Sequence, residues 1–557
     1  MTTTEKVFET DVLIIGSGGA GLIAAIKAHD RNVKVLIVSK SKLTSGCTAW
    51  AMGGMQAAYD PRDSQDIHFN DTVKGSAYLS NQHLARTMVA EAMERVHDLE
   101  SYGTIFIKED GKFKLFPFSG CSFARAVIST DPYAGGFVKG LIEEVKRRGI
   151  EFIENTMITT LMTKNNKVIG ALGINEQTGD LLVFNAKSTI LATGGAGHLY
   201  PLTTNPSILT GDGYAMAYRA GAELMDMEFI QTRVCIIQPS GLRGQPPPSD
   251  GLVTIGGRFY NAYGERFMKK YYPDRVEDVT RAEMSLAAFK EIKRGAATAN
   301  GGVYNDLSGV AEDDLKRFTK FMNACETEGI DPTWQPIEWA PGVHHFMGGI
   351  KINEKCETNL PGLFAAGEVT GGIHGANRMG GNALTDVIVF GARAGIYAAE
   401  RALTGDMSKI DENQISAERD RIFKIYERKD GKAVSEARKE ILTIINLYAG
   451  VARNETDLNK GIDELERIKK EVLPFLYISD DKTFRKLVAA LEVENLVDVG
   501  LMVAKAAAIR KESRGAHYRE DYPNRDDTNW LKNVVIKYFA GEMRLETQPV
   551  QLTELKP

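Results

Sequence analysis

The sequence is short of the features that mark secreted, membrane-spanning and nucleic-acid-binding chains. Its five cysteines (Cys47, Cys121, Cys235, Cys325 and Cys356) are scattered over 557 residues with no CxxC pair. That spacing argues against a disulfide framework and against an iron–sulfur cluster held by this chain. No uninterrupted apolar stretch reaches the roughly 18 residues that a membrane helix needs. The residues up to Thr10 carry neither an apolar signal core nor a twin arginine. A cytoplasmic protein is therefore expected, one that reaches a membrane only through other subunits. Net charge is −5 with no basic stripe, so nucleic acid is not an implied partner. Internal repeats and low-complexity tracts are also missing.

What is present is glycine, gathered in turns that follow short apolar runs. Asp11-Val-Leu-Ile-Ile-Gly16 has the make-up of a buried parallel strand, and Gly16, Gly18 and Gly21 follow at once, with Gly19 and Ala20 between them. An Ala/Ile-rich helical stretch to His29 and a second strand at Val33–Val38 complete a βαβ unit, the context a dinucleotide fingerprint requires. Pyrophosphate would rest on the helix N-terminus, where N–H groups and the helix dipole meet an anion. The second strand ends in Ser39-Lys40 rather than in Asp or Glu. A ribose hydroxyl then lacks its usual carboxylate, and FAD held by several segments fits better than NAD.

Three further segments supply such a site. Thr189–His198, through Ala192-Thr193-Gly194, has the form of a strand and turn that come back to a flavin. Thr210-Gly-Asp212-Gly213 comes next, with Asp212 expected to cap a helix that starts at Tyr214. Leu363–Glu368 ends in Ala-Ala-Gly-Glu, which puts the Glu368 carboxylate at a ribityl or ribose hydroxyl. His374–Leu384 is a glycine-rich turn whose backbone N–H groups can approach a ring edge closely. Within it, Arg378 offers a forked cation suited to a carboxylate. The reading is a flavin with a small acidic substrate against it.

The 557 residues exceed one core and predict about two to four domains. A flavin-binding region is expected over residues 1–237, an inserted cap over 238–343, a second flavin-binding part over 344–410, a helical domain over 411–530 and a tail over 531–557. Amphipathic patterns predict helices near 81–99, 136–148, 281–294, 311–328 and 385–404. Pro246-Pro-Pro248 breaks the chain at the start of the cap.

These motifs are joined by Met227-Glu-Phe-Ile-Gln231, His344 with Met347-Gly-Gly349, Arg510–His517 and Arg525-Asp-Asp527. Nearly from end to end, the chain resembles the flavoprotein subunits of succinate dehydrogenase and fumarate reductase, with L-aspartate oxidase as a sister family. The resemblance implies an α/β, two-dinucleotide-binding (Rossmann-like) FAD domain, an inserted α+β capping domain and a C-terminal helical domain. It also implies hydride transfer between flavin N5 and one carbon of a C4 dicarboxylate, proton transfer at the neighbouring carbon, and electrons from a separate iron–sulfur subunit. Carried over residue by residue, Arg281 is the proton donor, His344 holds one substrate carboxylate, Arg378 binds and polarises the other, and Asp250 keeps the first acid of the proton path. FAD would be held by Gly16, Gly18, Gly19, Ala20, Gly21, Ser39, Lys40, Cys47, Thr48, Gly53, Gly54, Ala192, Thr193, Gly194, Asp212, Glu368, Arg378, Asn382, Ala383 and Leu384.

The departures from the family pattern gather where substrate meets solvent. Cys47 stands where membrane-bound members attach FAD through a histidine, so histidyl linkage is excluded and non-covalent FAD is expected. The loss of that bond lowers the expected flavin potential and favours reduction of an alkene. Met52 replaces a Glu or Gln. A second substrate-binding histidine is replaced either by Arg233 or by Gln238, depending on whether Met227–Gln231 or Pro239-Ser-Gly241 anchors the match. Val253 and Ile255 remove the arginine and second acid of the proton relay, leaving Asp250 or Glu283 to re-protonate Arg281. The readings that compete are an aspartate-oxidase-like enzyme and an electron-relay subunit with no substrate of its own.

Overall fold

The computed structural model describes residues 5–51, 54–118, 120–131, 136–245, 255–316, 318–478 and 482–557. Asp250, Gly53, Met52 and Val253 therefore lie outside the described residues.

The apolar N-terminal run forms a strand, Glu5–Ile15, in the middle of a sheet. It pairs in parallel with Val35–Val38 on one side and Leu181–Leu191 on the other. Glu151–Ile153 extends the first edge, and Leu363–Ala365 adds to Leu181–Leu191 in parallel. Val12, Leu13 and Ile14 are fully buried, as a strand covered on both faces requires. Antiparallel strands Thr156–Lys164 and Lys167–Asn175 complete this sheet. The expected Rossmann-like fold class is met.

The helix Gly19–His29 lies against a long helix, Asn382–Thr404, and small residues set their separation. A Cβ at Gly395 would come within 2.2 Å of Ala24 O, and one at Gly391 within 2.7 Å of Ala20 O. Any larger residue at either place would push the helices apart.

A second sheet runs Thr370–Gly371, Gly349–Lys351, Leu224–Met225, Lys532–Phe539, Glu542–Pro549. The C-terminal hairpin is thus paired into it, with Val534, Val535 and Ile536 buried. The third sheet, Ile230–Gln238, Ile337–Phe346, Val303–Asp306 and Arg258–Tyr260, carries the helix Arg281–Lys293. It has its own core around Phe259, Phe267, Leu315 and Trp339, the mark of a separate unit. Within the expected helix over 311–328 stand two helices, Glu312–Lys316 and Thr319–Thr327, and Phe318, non-helical at φ −98°, ψ 60°, packs against this core.

Four helices, Glu412–Glu427, Val434–Tyr448, Glu455–Arg467 and Phe484–Ile509, form the helical part. The last is apolar nearly all round and sits at the centre, as such a helix must. Among the described residues no helix is long and apolar enough to cross a membrane.

A buried charge network fastens this part to the flavin side and accounts for the Arg510–His517 motif. Arg510 donates to Glu228 Oε1 at 2.6 Å and to Glu512 Oε1 at 3.0 Å, and Arg514 donates to both oxygens of Glu512 at 2.7 and 2.9 Å. Arg453 donates to Glu228 O at 2.7 Å. Glu228, Arg510 and Glu512 are fully buried. Arg510→Ala would leave the buried Glu228 carboxylate without its guanidinium, while Glu512 keeps Arg514, a loss of about 3–5 kcal/mol. Calorimetry should show the first unfolding transition lowered by several degrees; an unchanged transition would show the network to be dispensable.

Candidate functional site

The nucleotide end is built from backbone that no side chain could replace. Gly16, at φ +113°, has Ala192 O where its Cβ would stand, 2.2 Å away, and a Cβ on Gly21 would meet Gly16 O at 2.0 Å. Gly18 is different: its nearest neighbour would be Thr48 Oγ1 at 4.0 Å, so the space over the helix N-terminus is open. No acidic residue stands in that first helical turn. An anion of pyrophosphate size fits there, in contact with N–H groups. Gly19 N–H donates to Thr48 Oγ1 at 3.1 Å, and the hydroxyls of Ser17 and Ser39 lie 2.8 Å apart. Gly16–Ala20, Ser39, Lys40, Cys47, Thr48, Ala192, Thr193, Gly194, Asp212 and Glu368 all line one cleft.

Asp212 does not cap a helix that starts at Tyr214. The helix is Asp212–Ala220, Gly211 occupies the N-cap in a left-handed conformation, and the Asp212 carboxylate is drawn to Lys40 at 2.6 Å. Lys40 also donates to Thr210 Oγ1 at 2.8 Å and to Glu492 at 2.9 Å. Despite burial, these two carboxylates hold its ammonium above the usual lysine range.

Where the cleft opens toward the cap, Glu368 sits against Gly195, whose Cβ would lie 2.4 Å from Oε1. Phe346 N–H donates to that oxygen at 3.0 Å, and the Tyr214 hydroxyl donates to Glu368 O at 2.7 Å. Burial pushes the Glu368 carboxyl up to about 7. Two buried polar atoms nearby, Thr193 Oγ1 and His345 Nε2, have no hydrogen-bond partner among the described residues. Such atoms are costly unless a polar group meets them. With the open space at Gly18, they fit a cofactor that is polar along its length. The Cys47 thiol is free, and burial followed by the Glu368 charge pushes it well above the usual thiol range.

A cavity of about 1010 Å³ continues from this point, sharing Cys47, Thr48, Glu368 and Val387 with the nucleotide cleft. Arg281, His344, Arg378, Gly54, Ala383 and Leu384 all line it. Asn382 does not: its side chain donates to Thr72 Oγ1 at 3.0 Å and its Oδ1 lies 2.9 Å from His68 Nε2, so only its backbone remains for a ligand.

Two histidines in succession face this cavity, which a regular strand forbids. The pairing explains it. Gln231 opposes His345 and Thr232 opposes Val343, so His344 is an extra, bulged residue and its side chain is re-aimed. Thr204 Oγ1 lies 2.7 Å from His344 Nδ1, and Asn205 Nδ2 donates to His344 O at 3.1 Å. Burial, then the charges of Arg233, Arg378 and Arg281, hold His344 well below the usual imidazole range, so it is neutral near pH 7.

Arg281 is the first residue of its helix, fixed by a capping box between Thr280 and Glu283. Glu283 is not a free acid for re-protonating it, since its carboxylate accepts from Thr280 N–H at 2.8 Å and pairs with Arg275 at 2.5 Å. Arg378 is held by Gln231: Arg378 Nη2 donates to Gln231 Oε1 at 2.8 Å, and Gln231 Nε2 donates back to Arg378 O at 2.8 Å. Of the two candidates for the missing histidine, Arg233 lines the cavity, while Gln238 ends its strand outside it. Thr204, Arg243, Gln245 and His345 are further lining residues that sequence reasoning missed. Thr204 carries no motif of its own, and His345 is marked only by being next to His344.

Comparison with known proteins bears on the family and the fold. The family model described as "FAD binding domain" matches residues 11–384, and that for "Fumarate reductase flavoprotein C-term" matches residues 438–557. A subunit of the CoM/CoB fumarate reductase of Methanothermobacter marburgensis is 40% identical over 540 residues, 95% of this chain and 97% of that one. The fumarate reductase flavoprotein subunit of Haemophilus influenzae is 32% identical, covering 99% and 96%. The structure of a variant of E. coli quinol fumarate reductase FrdA superposes with a TM-score of 0.92 at 31% identity, over 99% of this chain and 98% of that one.

Gly18→Val should leave the fold intact, because no protein atom stands in the way, but should fill cofactor space. Overpacking of that size costs about 1–3 kcal/mol, which is about 5- to 150-fold in FAD affinity. Fluorescence titration of the apoprotein checks it; wild-type affinity in the variant would remove Gly18 from the cofactor site.

Proposed function

Because the chain belongs to the fumarate reductase and succinate dehydrogenase flavoproteins and is an FAD-dependent oxidoreductase acting on CH–CH bonds, we propose that it reduces an enoate of the C4-dicarboxylate type. In this reading FAD is held without a covalent bond and a separate iron–sulfur subunit supplies electrons. The observation that carries it is the convergence of Arg281, His344 and Arg378 on one cavity whose wall is shared with the nucleotide cleft. Non-covalent attachment is supported by Cys47, neither a histidine nor a thiol that ionises readily. Delivery of electrons by a partner is supported by the relatives, which are named as single subunits of fumarate reductases.

Bound FAD supplies hydride chemistry at N5. The protein's task is to hold the acid, polarise it and deliver a proton. Arg378, buried and forked, grips one carboxylate and draws electron density from the double bond, which makes the far carbon electrophilic. Neutral His344, oriented by Thr204, donates or accepts a hydrogen bond without adding a charge that would need desolvation. Arg281 delivers a proton to the carbon next to the one that receives hydride. Arg233 adds a cation where relatives are expected to use a histidine, so the second substituent of the acid is held by charge.

The test is anaerobic re-oxidation of the photoreduced flavoprotein by fumarate, mesaconate and aromatic enoates. At least one acid should re-oxidise it rapidly, and Arg281→Ala should slow that step by about 10²–10⁴-fold, the range for loss of a positioned general acid. Re-oxidation only by dyes or oxygen would overturn the proposal in favour of an oxidase or an electron relay. Acid precipitation should leave the flavin in the supernatant; flavin in the pellet would mean a covalent link.

A further inference from the structure

We infer that the two consecutive histidines serve different ligands: His344 meets the acid, whereas His345, through Nε2, is a hydrogen-bonding contact of the flavin ring. The inference rests on the cavity of the proposed function being the place where flavin and acid meet.

Both rings line that cavity, but their neighbours differ. His344 has the Thr204 hydroxyl 2.7 Å from its Nδ1, and after burial the charges of Arg233, Arg378 and Arg281 act on it. It stands with the proposed proton donor. His345 Nδ1 instead lies 3.5 Å from Glu368 Oε1, and its ring packs edge to face on His374, with centroids 5.4 Å apart. After burial, Arg378 and His374 are the groups that hold its imidazole well below the usual range, with no contribution from Arg233 or Arg281. Glu368 lines the nucleotide cleft as well as the cavity, so His345 is the histidine on the cofactor side.

One atom of this ring has no role within the protein. His345 is 6% exposed, and its Nε2 is buried with no hydrogen-bond partner among the described residues. Nδ1, at the other edge of the ring, is the nitrogen turned to Glu368, whose Oε1 already accepts from Phe346 N–H at 3.0 Å. His374 is directed elsewhere, its Nε2 lying 3.3 Å from Asp386 Oδ2. A buried nitrogen left dry is costly, so a polar group is expected at Nε2 once the site is filled. With Nδ1–H turned to a Glu368 carboxylate, Nε2 of the neutral imidazole is a lone pair. A substrate carboxylate, which can only accept, would not approach it. The pyrimidine half of a flavin carries an N–H beside its carbonyl oxygens, and so suits Nε2 in either tautomer.

Three substitutions test the assignment in the holoprotein. His345→Leu removes both nitrogens. His345→Asn places an amide no farther out than Nδ1, and His345→Gln reaches as far as Nε2. FAD release is followed by fluorescence on dilution and the flavin band by absorption. Binding of malonate, a dicarboxylate that cannot be reduced, is read from its effect on that band. FAD should be held about 2- to 13-fold more weakly in His345→Leu and His345→Asn, the span of one ordinary hydrogen bond, with a shifted flavin band. His345→Gln should restore both, and malonate affinity should stay at the wild-type value in all three. Unchanged FAD affinity and band in His345→Asn overturns the inference. So does His345→Gln no better than His345→Asn, since the contact would then lie at Nδ1 or in packing. Loss of malonate affinity with FAD binding unchanged overturns it too, by assigning His345 to the acid. Should His345→Leu fail to fold, the Asn and Gln pair decides. Wild-type protein blind to malonate would remove the acid site of the proposed function, while the FAD affinities would still decide the role of His345.

Discussion

The close approach of two helices, Gly19–His29 and Asn382–Thr404, is the constraint on which the rest depends. Gly391 and Gly395 let the second helix lie almost on the backbone of Ala20 and Ala24. Each helix begins at a glycine turn, one at Gly18 and the other at Gly381. Gly391, nine residues past the start of its helix, lies against Ala20, one residue past the start of the other, so the second helix runs on about 12 Å, some two turns, before it reaches the turn that carries Arg378. The helix contact thereby fixes the distance between the turn at Gly18 and the cavity lined by Arg378.

Burial and charge then divide the work. At the nucleotide end, Lys40 is neutralised by Asp212 and Glu492 and serves to tie the flavin side to the central helix of the helical part. In the neighbouring cavity the balance is reversed: burial, then the charges of Arg233, Arg378 and Arg281, keeps His344 neutral. Among the hydrogen bonds described there, His344 faces the Thr204 hydroxyl and Arg378 the Gln231 amide, both uncharged groups. The buried Glu228–Arg510–Glu512 chain holds the domains that carry these residues in register.

Much of this is legible in the sequence wherever the signal is local. Gly16, Gly18 and Gly21 follow a run of four buried strand residues, Val12–Ile15, and a strand, turn and helix are all that such a fingerprint needs. Leu363–Glu368 and His374–Leu384, whose residues line the cleft and the cavity, are legible for the same reason. What cannot be read depends on register between distant segments. The bulge at His344 arises from pairing with a strand more than a hundred residues earlier, and the contacts Gln231–Arg378 and Thr204–His344 span comparable separations. Asp212 misleads because Thr-Gly-Asp-Gly looks like an N-cap, yet Gly211 at φ +79° takes that position and Lys40 captures the carboxylate. The ambiguity between Arg233 and Gln238 is likewise one of register, and the strand resolves it in favour of Arg233 as the cavity residue.

The most direct test of the central claim, that one cavity brings flavin, clamp and proton donor together, is a crystal structure of the FAD-loaded protein with malonate bound. The account predicts one carboxylate forked on Arg378, the other held by His344 and Arg233, and the Arg281 guanidinium against the carbon between them. Malonate bound elsewhere, or Arg281 turned away from the ligand with the cap closed, would contradict it.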